Sequence, residues 1–433
     1  MNEVNVGIIG AGTVGCGVVK ILLENYGLIQ KRSGVKVNIK KIADIDINRK
    51  RPVRIPKRLF TTDSLSVIND PDLPVIIELV GGTTIAKDFV MGSIKNKKHV
   101  VTANKALLAH HGSEIFSAAA KHNVNVGFEA SVGGAIPIII STKESYVPNN
   151  IRSIYGIMNG TCNYILSTMT EKGLDFDAVL NDAQEKGYAE ADPSFDIDGI
   201  DAAHKLSILI MLSYGQFFRF NKFYVEGIRN ISKLDISYSA ELGYVIKLLA
   251  IAKAKANGIE AGVYPALVKK GTQMADVSGA FNAIYMVGDA LGPTMLYGMG
   301  AGMMPTASAV VGDIVQIAKS INSGSSDSTV PRFYKDNNHT RLLPVSEKTG
   351  SYYLRFQVKD KPGVLGKITN VLGDNKISIE SVIQKGNEPG GDVQVVMMTH
   401  EAREHDLKSA LKKINRFGFV NNRSNFIRIE NLN

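Results

Sequence analysis

Cysteine is scarce in this chain of 433 residues: Cys16 and Cys162 are the only two. Two cysteines cannot build a disulfide framework, so a disulfide-stapled secreted fold is excluded and a reducing cytoplasm fits. Long apolar runs are missing as well. No stretch of eighteen apolar residues occurs, which argues against a transmembrane helix and a membrane partner. The N-terminus enters a strand pattern almost at once and lacks the form of a signal peptide.

Charge of one sign is missing from a single region. Residues 31–60 carry eleven Lys and Arg against only Asp44 and Asp46, a surplus equal to the net charge of +9 of the whole protein. Everything else is neutral on balance. A patch this local suits an anionic ligand better than a nucleic-acid footprint across the fold. It also lacks interleaved aromatics beyond Phe60, so no nucleic-acid partner is expected.

What is present describes a globular protein of two to three domains, with 44% hydrophobic and 21% charged residues. Residues 4–10 form a short apolar strand that runs into Gly10-Ala11-Gly12-Thr13-Val14-Gly15 and then a helical stretch. This is G-x-G-x-x-G in the strand–helix context that gives the motif meaning. Gly10 permits the tight turn, Gly12 lets backbone approach a pyrophosphate, and Gly15 allows close helix packing. A second strand, 35–43, ends at Asp44, somewhat late for a ribose-binding acid. Asp44 favours NAD; Arg49, Lys50 and Arg51 just after it favour the extra phosphate of NADP, and the balance leans to NADP.

Strands are expected at 74–80, 99–105 and 124–130, alternating with helices such as 86–96 and 113–122. That alternation indicates a Rossmann-like, doubly wound parallel α/β sheet, whose ligands sit at the carboxyl ends of the strands. Lys105 lies at such an end, where it can reach a ligand or simply be an exposed loop lysine. Beyond residue 133 the texture changes to a glycine-rich elbow, 132–137, leading into an apolar helix, and to a second α+β region with strand-like runs at 151–158, 225–228 and 264–268. Cys162 reads as a buried structural thiol or, less simply, as a nucleophile lacking a local base. Residues 298–306 form a glycine hinge into an apolar helix suited to pack back on the first domain. Residues 321–350 read as a polar linker, and 351–433 follow a βαββαβ order, which is ferredoxin-like.

One stretch stands apart. Between Gly187 and Lys205 five acids fall within twelve positions, ahead of a nearly all-apolar helix over 206–212. Asp201 and Lys205 are four apart on one helix face. A surface ion pair under a solvated acidic loop is the plain reading. A buried helix that opens with Asp and Lys suggests instead a pocket for a polar, cationic ligand.

Four motifs together, Gly10 to Gly15, Thr102-Ala103-Asn104-Lys105, Gly156 to Tyr164 and Gly187 to Lys205, resemble those of the homoserine dehydrogenase family. Asp360-Lys361-Pro362-Gly363-Val364-Leu365 is similar to the opening of an ACT domain, an amino-acid-sensing module. The resemblance covers the chain apart from the linker. It implies a dinucleotide-binding domain over 1–132 with 303–320 returning to it, a substrate and dimerisation domain over 133–302, and an ACT regulatory domain over 351–433. It implies reversible NAD- or NADP-dependent hydride transfer between L-homoserine and L-aspartate 4-semialdehyde, on the route to threonine, methionine and isoleucine. By the same resemblance Lys205 is the proton donor and acceptor and Lys105 assists it. Glu190 and Asp201 bind substrate, and Thr13, Val14, Lys105, Gly187 and Gly302 join the glycines as cofactor contacts. Glu129 with the carbonyls of Val132, Gly134 and Ile136 matches a sodium site. A homodimer or homotetramer, and an amino-acid effector at the ACT domain, are the implied partners.

Two other readings have distinct signatures. A thiol-dependent aldehyde dehydrogenase would use Cys162 and yield an acyl product. A non-enzymatic regulator would bind nucleic acid through residues 31–60 in a salt-dependent way.

Overall fold

A computed structural model of the protein describes residues 3–324, 340–385 and 391–432. Residues 325–339 of the expected linker lie outside this set. The chain divides into two compact units. The first takes in the described residues of 1–151, 203–222 and 281–338, and the second those of 152–202, 223–280 and 339–433.

The first unit is built on a six-stranded sheet in the order Phe60–Thr61, Lys36–Ala43, Glu3–Ile9, Val75–Glu78, His99–Thr102, Val126–Gly127. All five pairings are parallel. Strands of such a sheet are covered on both faces and read as apolar runs, as Val75–Glu78 does, with every residue buried. Its core joins Val6, Ile8, Val37, Ile77 and Val101 to Val18 and Leu22 of helix Thr13–Glu24 and to Val310, Ile314 and Ile317 of helix Met303–Ser323. The strand order reverses between Glu3–Ile9 and Val75–Glu78, so the crevice for a ligand opens beyond Ile9 and Glu78.

Three boundaries differ from the sequence expectation. The helix expected over 113–122 starts at Lys105, because Asn104 caps it: its side chain accepts from the Leu107 amide at 2.9 Å. The strand expected over 124–130 is only Val126–Gly127, since the chain turns into a tight helical turn at Glu129–Ser131. The apolar helix after Pro137 is a single turn, Ile138–Ile140, continued by a π-turn over Ser141–Ser145. Three consecutive isoleucines are poor helix formers, which fits so short an element.

In the second unit a long hairpin, Tyr244–Lys255 and Gly258–Lys269, pairs antiparallel over its whole length. Only 264–268 of it is visible in the sequence. The alanines, leucines and lysines of Tyr244–Lys255 favour helix, and cross-strand pairing overrides that preference. Strand Ile151–Ile157 pairs with one side of the hairpin. On the other side Asn425–Glu430 pairs parallel, with Ala266 opposite Arg428. That strand is the last of the ferredoxin-like module, whose sheet runs Asn425–Glu430, Thr349–Lys359, Asp392–Thr399, Ile379–Lys385. Helices Val364–Asp374 and Glu404–Ile414 supply Ile368, Leu372, Leu407 and Leu411 to its core. The module is therefore continuous with the hairpin sheet.

Buried ion pairs reinforce that seam. Arg428, 1% exposed, forms a two-pronged pair with Glu404 at 2.7 and 2.8 Å and a further bond to Glu226 at 2.9 Å. Its guanidinium lies 4.4 Å from the Tyr264 ring centre. Lys348 meets Glu260 at 2.8 Å and Glu430 at 2.9 Å, and Lys253 meets Glu430 at 2.7 Å. Arg355 holds Asp235, the acid of the capping box that opens helix Lys233–Glu241.

Candidate active site

The glycine loop closes the first strand as its motif requires. Gly10 has φ of 101°, and a side chain there would come within 2.7 Å of the Leu79 carbonyl. A side chain at Gly15 would strike the Gly10 carbonyl at 2.2 Å. Gly12 is the N-cap of helix Thr13–Glu24, and a Cβ there would meet nothing within 4 Å. Bare backbone, open space and a helix N-terminus coincide at Gly12, which fits an approaching pyrophosphate. Thr13 and Val14 begin the same helix. Gly302 is the N-cap of helix Met303–Ser323, whose first turn packs so closely on Gly17 that a Cβ there would lie 2.8 Å from Ala307.

Asp44 sits directly after strand Lys36–Ala43 and is tied back to this loop. Its Oδ2 accepts from the Ala11 amide at 2.7 Å and its Oδ1 from the Asp46 amide at 3.0 Å. Arg51 pairs with Asp44 at 3.3 Å, donates from Nε to the Ala11 carbonyl at 3.1 Å and lies 4.6 Å over the Phe60 ring. Burial pulls the Asp44 carboxyl up, but the two amides and the guanidinium outweigh it and hold it below the usual range. One acid and one guanidinium thus stand together against the glycine loop.

The turn carrying Lys105 is fixed by a buried acid absent from the sequence reading. Glu78, at the end of its strand, accepts the Thr102 hydroxyl at 2.7 Å and the Val80 amide at 2.8 Å. Burial pushes its carboxyl up against those donors. Thr102 in turn accepts the Asn104 amide at 3.0 Å, and Asn104 bonds the Gly82 carbonyl at 2.6 Å. Lys105 follows as the first residue of its helix, half-buried. The signal for Glu78 was a single acid ending a fully apolar strand.

Helix Ile200–Tyr214 carries Asp201 and Lys205, which are 3% and 7% exposed. A surface ion pair is thereby excluded. In the first unit His204 packs edge-on against Phe220 at 4.1 Å and against His110 at 5.6 Å. In the second unit, Asp201 Oδ2 accepts from Asn159 Nδ2 at 2.9 Å, and the same nitrogen donates to Asp196 Oδ1 at 2.7 Å. Asp196, expected as loop, lies in a short helix, Ser194–Ile197. Arg229 bonds Ser194 and Asp198 at either end of that helix. Glu190 is exposed; its loop is held where Gln184 donates to the Glu190 carbonyl at 3.0 Å, beyond Gly187 with its φ of 75°. Cys162 is fully buried and its thiol donates to the Asp196 carbonyl at 3.2 Å.

Glu129 is buried, and its two oxygens accept the Ile139 and Ile140 amides at 2.8 Å each. The Asp313 carboxylate accepts the Glu129 amide at 2.8 Å. Burial pushes Glu129 up and Asp313 up to about 7. In the next turn Val132, Gly134 and Ile136 are buried and Ala135 is exposed, with Gly133 and Gly134 left-handed. The Ile136 carbonyl accepts the Ile138 amide at 2.8 Å. No cluster of three or more His, Cys, Asp or Glu able to hold a metal occurs among the described residues. One carboxylate with carbonyl oxygens is a donor set for a hard cation of low charge, not for a transition metal.

A glycine-loop parallel sheet, a buried helix bearing Asp and Lys, and a C-terminal ferredoxin-like module define a nicotinamide-dependent oxidoreductase fused to an ACT module. Comparison with known proteins gives the particular family. The homoserine dehydrogenase model matches residues 137–315, its NAD-binding-domain model residues 10–129, and the ACT-domain model residues 352–419. The chain is 43% identical to a homoserine dehydrogenase of Neisseria gonorrhoeae and 42% identical to one of Pseudomonas aeruginosa, over 100% of each chain. A crystal structure of a Thiobacillus denitrificans homoserine dehydrogenase superposes with a TM-score of 0.94 at 42% identity, covering 100% of this chain and 99% of that one. A hyperthermophilic archaeal homoserine dehydrogenase in complex with NADPH has a TM-score of 0.62 at 25% identity, over 73% of this chain and 98% of that one. The chain belongs to the homoserine dehydrogenase family and is an oxidoreductase acting on a CH–OH group. No helix among the described residues is long and apolar enough to cross a membrane.

Proposed function

We propose that the protein interconverts L-homoserine and L-aspartate 4-semialdehyde in the cytoplasm, on the route to threonine, methionine and isoleucine, with NADP preferred over NAD. The observation that carries the reading is the buried helix bearing Asp201 and Lys205 in a chain of this family. Glu190 and Asp201 hold the ammonium group of the substrate through charge-assisted hydrogen bonds. Lys205 gives a proton to the aldehyde oxygen as negative charge develops there, and takes it back in the reverse direction. Lys105 adds a second cation beside the reacting oxygen. Bound nicotinamide supplies the hydride chemistry. Gly10, Gly12, Thr13, Val14, Gly15, Gly187 and Gly302 serve as its contacts, and the basic run Arg49, Lys50 and Arg51 favours the 2′-phosphate of NADP.

The domain roles follow the same reading: dinucleotide binding by 1–132 with 303–320, substrate binding and dimerisation by 133–302, and regulation by the ACT residues 351–433. The ACT module takes an amino acid as effector. A homodimer or homotetramer is supported by the exposed apolar side chains of hairpin Phe281–Gly288 and Gly292–Met299, where Phe281, Tyr297 and Met299 face solvent. Sodium at Glu129, Val132, Gly134 and Ile136 braces the start of the second region. The deciding experiment is Lys205→Ala. It should lower turnover by about three orders of magnitude with NADPH affinity retained. Near-normal turnover would remove Lys205 from the chemistry.

A further inference from the structure

Asn159 is a buried amide, 5% exposed, at the junction of strand Ile151–Ile157 and helix Gly160–Lys172. Its hydrogen-bonding capacity is committed on both sides. Oδ1 accepts the Cys162 amide at 2.8 Å, which caps the helix, while Nδ2 donates to Asp196 Oδ1 at 2.7 Å and Asp201 Oδ2 at 2.9 Å. The orientation of this amide is fixed by chemistry, since the Cys162 N–H can only donate and the carboxylates can only accept when ionised. Asparagine is the one residue of this size that accepts on one side and donates two protons on the other. Aspartate would keep the cap and set a third carboxylate against the other two.

The surrounding contacts make this amide a fixed point. The Thr161 hydroxyl, two residues on, bonds the Tyr188 carbonyl at 2.7 Å and reaches Asp196 Oδ2 at 3.4 Å. The Cys162 thiol holds the Asp196 carbonyl at 3.2 Å. Strand Ile151–Ile157, which ends just before Asn159, is paired with the long hairpin. A side chain anchored to the sheet therefore sets where two carboxylates from two separate elements stand relative to each other.

We propose that Asn159 is a positioning residue for homoserine binding: it holds Asp201, with Asp196 beside it, at the spacing that grips the substrate's ammonium. This rests on the reading that Asp201 binds that group. Asn159 itself touches no reacting atom. An ammonium presents three N–H donors, and a carboxylate oxygen displaced by an ångström loses most of a charge-assisted bond.

The test uses the full-length enzyme with L-homoserine and NADP⁺. Asn159→Ser keeps a cap for Cys162 but removes both donors to the carboxylates. Its homoserine KM should rise about tenfold or more, while kcat falls less than threefold and the NADP⁺ Kd is unchanged. Asn159→Asp should raise KM further, on the order of a hundredfold, because of like-charge repulsion. Combined with Asp201→Asn, Asn159→Ser should add less than its single effect, as residues sharing one network do. A KM within twofold of wild type in Asn159→Ser, with a raised KM in Asp201→Asn, overturns the proposal and leaves the reading of Asp201 intact. An unchanged KM in Asp201→Asn overturns that reading and the proposal with it. A double variant whose losses simply multiply overturns the proposal alone.

Discussion

Glu430 and Glu129 are both buried glutamates, and they are treated in opposite ways. Glu430, in the second unit, is met by Lys348 at 2.9 Å and Lys253 at 2.7 Å. Burial alone would raise its carboxyl, but the two ammonium groups outweigh burial and hold it at about 2. Glu129, in the first unit, is met among the described residues by neutral backbone amides, Ile138, Ile139 and Ile140, and burial wins. Lys143 attracts it from a distance and is itself pulled down by burial. A small cavity of about 10 Å³, lined by Glu129, Lys143 and Asp313 among others, lies alongside. A buried acid whose charge the chain compensates with its own cations is architecture. One given only neutral donors is suited to take a cation from outside.

The comparison breaks most visibly at Glu430. Glu430→Gln leaves two lysines buried with less than their full complement of charge, and should cost about 3–5 kcal/mol, read as a lowered thermal midpoint. Because the folded carboxyl sits far below its ordinary value of 4.5, its contribution is complete above that pH and is lost as pH falls from about 4.5 towards 2. Wild type should therefore lose stability steeply over that window, and Glu430→Gln more shallowly. A smaller effect is expected at Glu129. Replacing choline chloride by sodium chloride should stabilise wild type by about 1–3 kcal/mol through binding to the folded state alone. Glu129→Gln should erase that difference; a sodium effect that survives the change would remove Glu129 as a ligand.

The parts of the molecule that sequence made legible are those whose chemistry is local. Gly10, Gly12 and Gly15 fall in one turn, so their spacing declares both the loop and its ligand. Asp201 and Lys205 share one helix, and the apolar residues after them declare that it is buried. The alternation over 351–433 declares the ferredoxin-like module. What stayed hidden depends on distant partners. Asn159 joins Asp196 and Asp201 from about forty residues away, and nothing around it distinguishes it from an ordinary cap. Glu78 acts through Thr102, and the start of the helix at Lys105 depends on one Asn104 bond. The hairpin Tyr244–Lys255 with Gly258–Lys269 forms against its own helix-favouring composition, because the energy lies in pairing and burial. The roles proposed for Lys205 and Glu190 rest on the family resemblance, and the fold alone does not assign them.

The most direct measurement is steady-state oxidation of NADPH and of NADH by the wild-type enzyme with L-aspartate 4-semialdehyde. Saturable turnover, with kcat/KM for NADPH exceeding that for NADH, is the predicted result. Failure to oxidise either nucleotide in the presence of the semialdehyde would contradict the account.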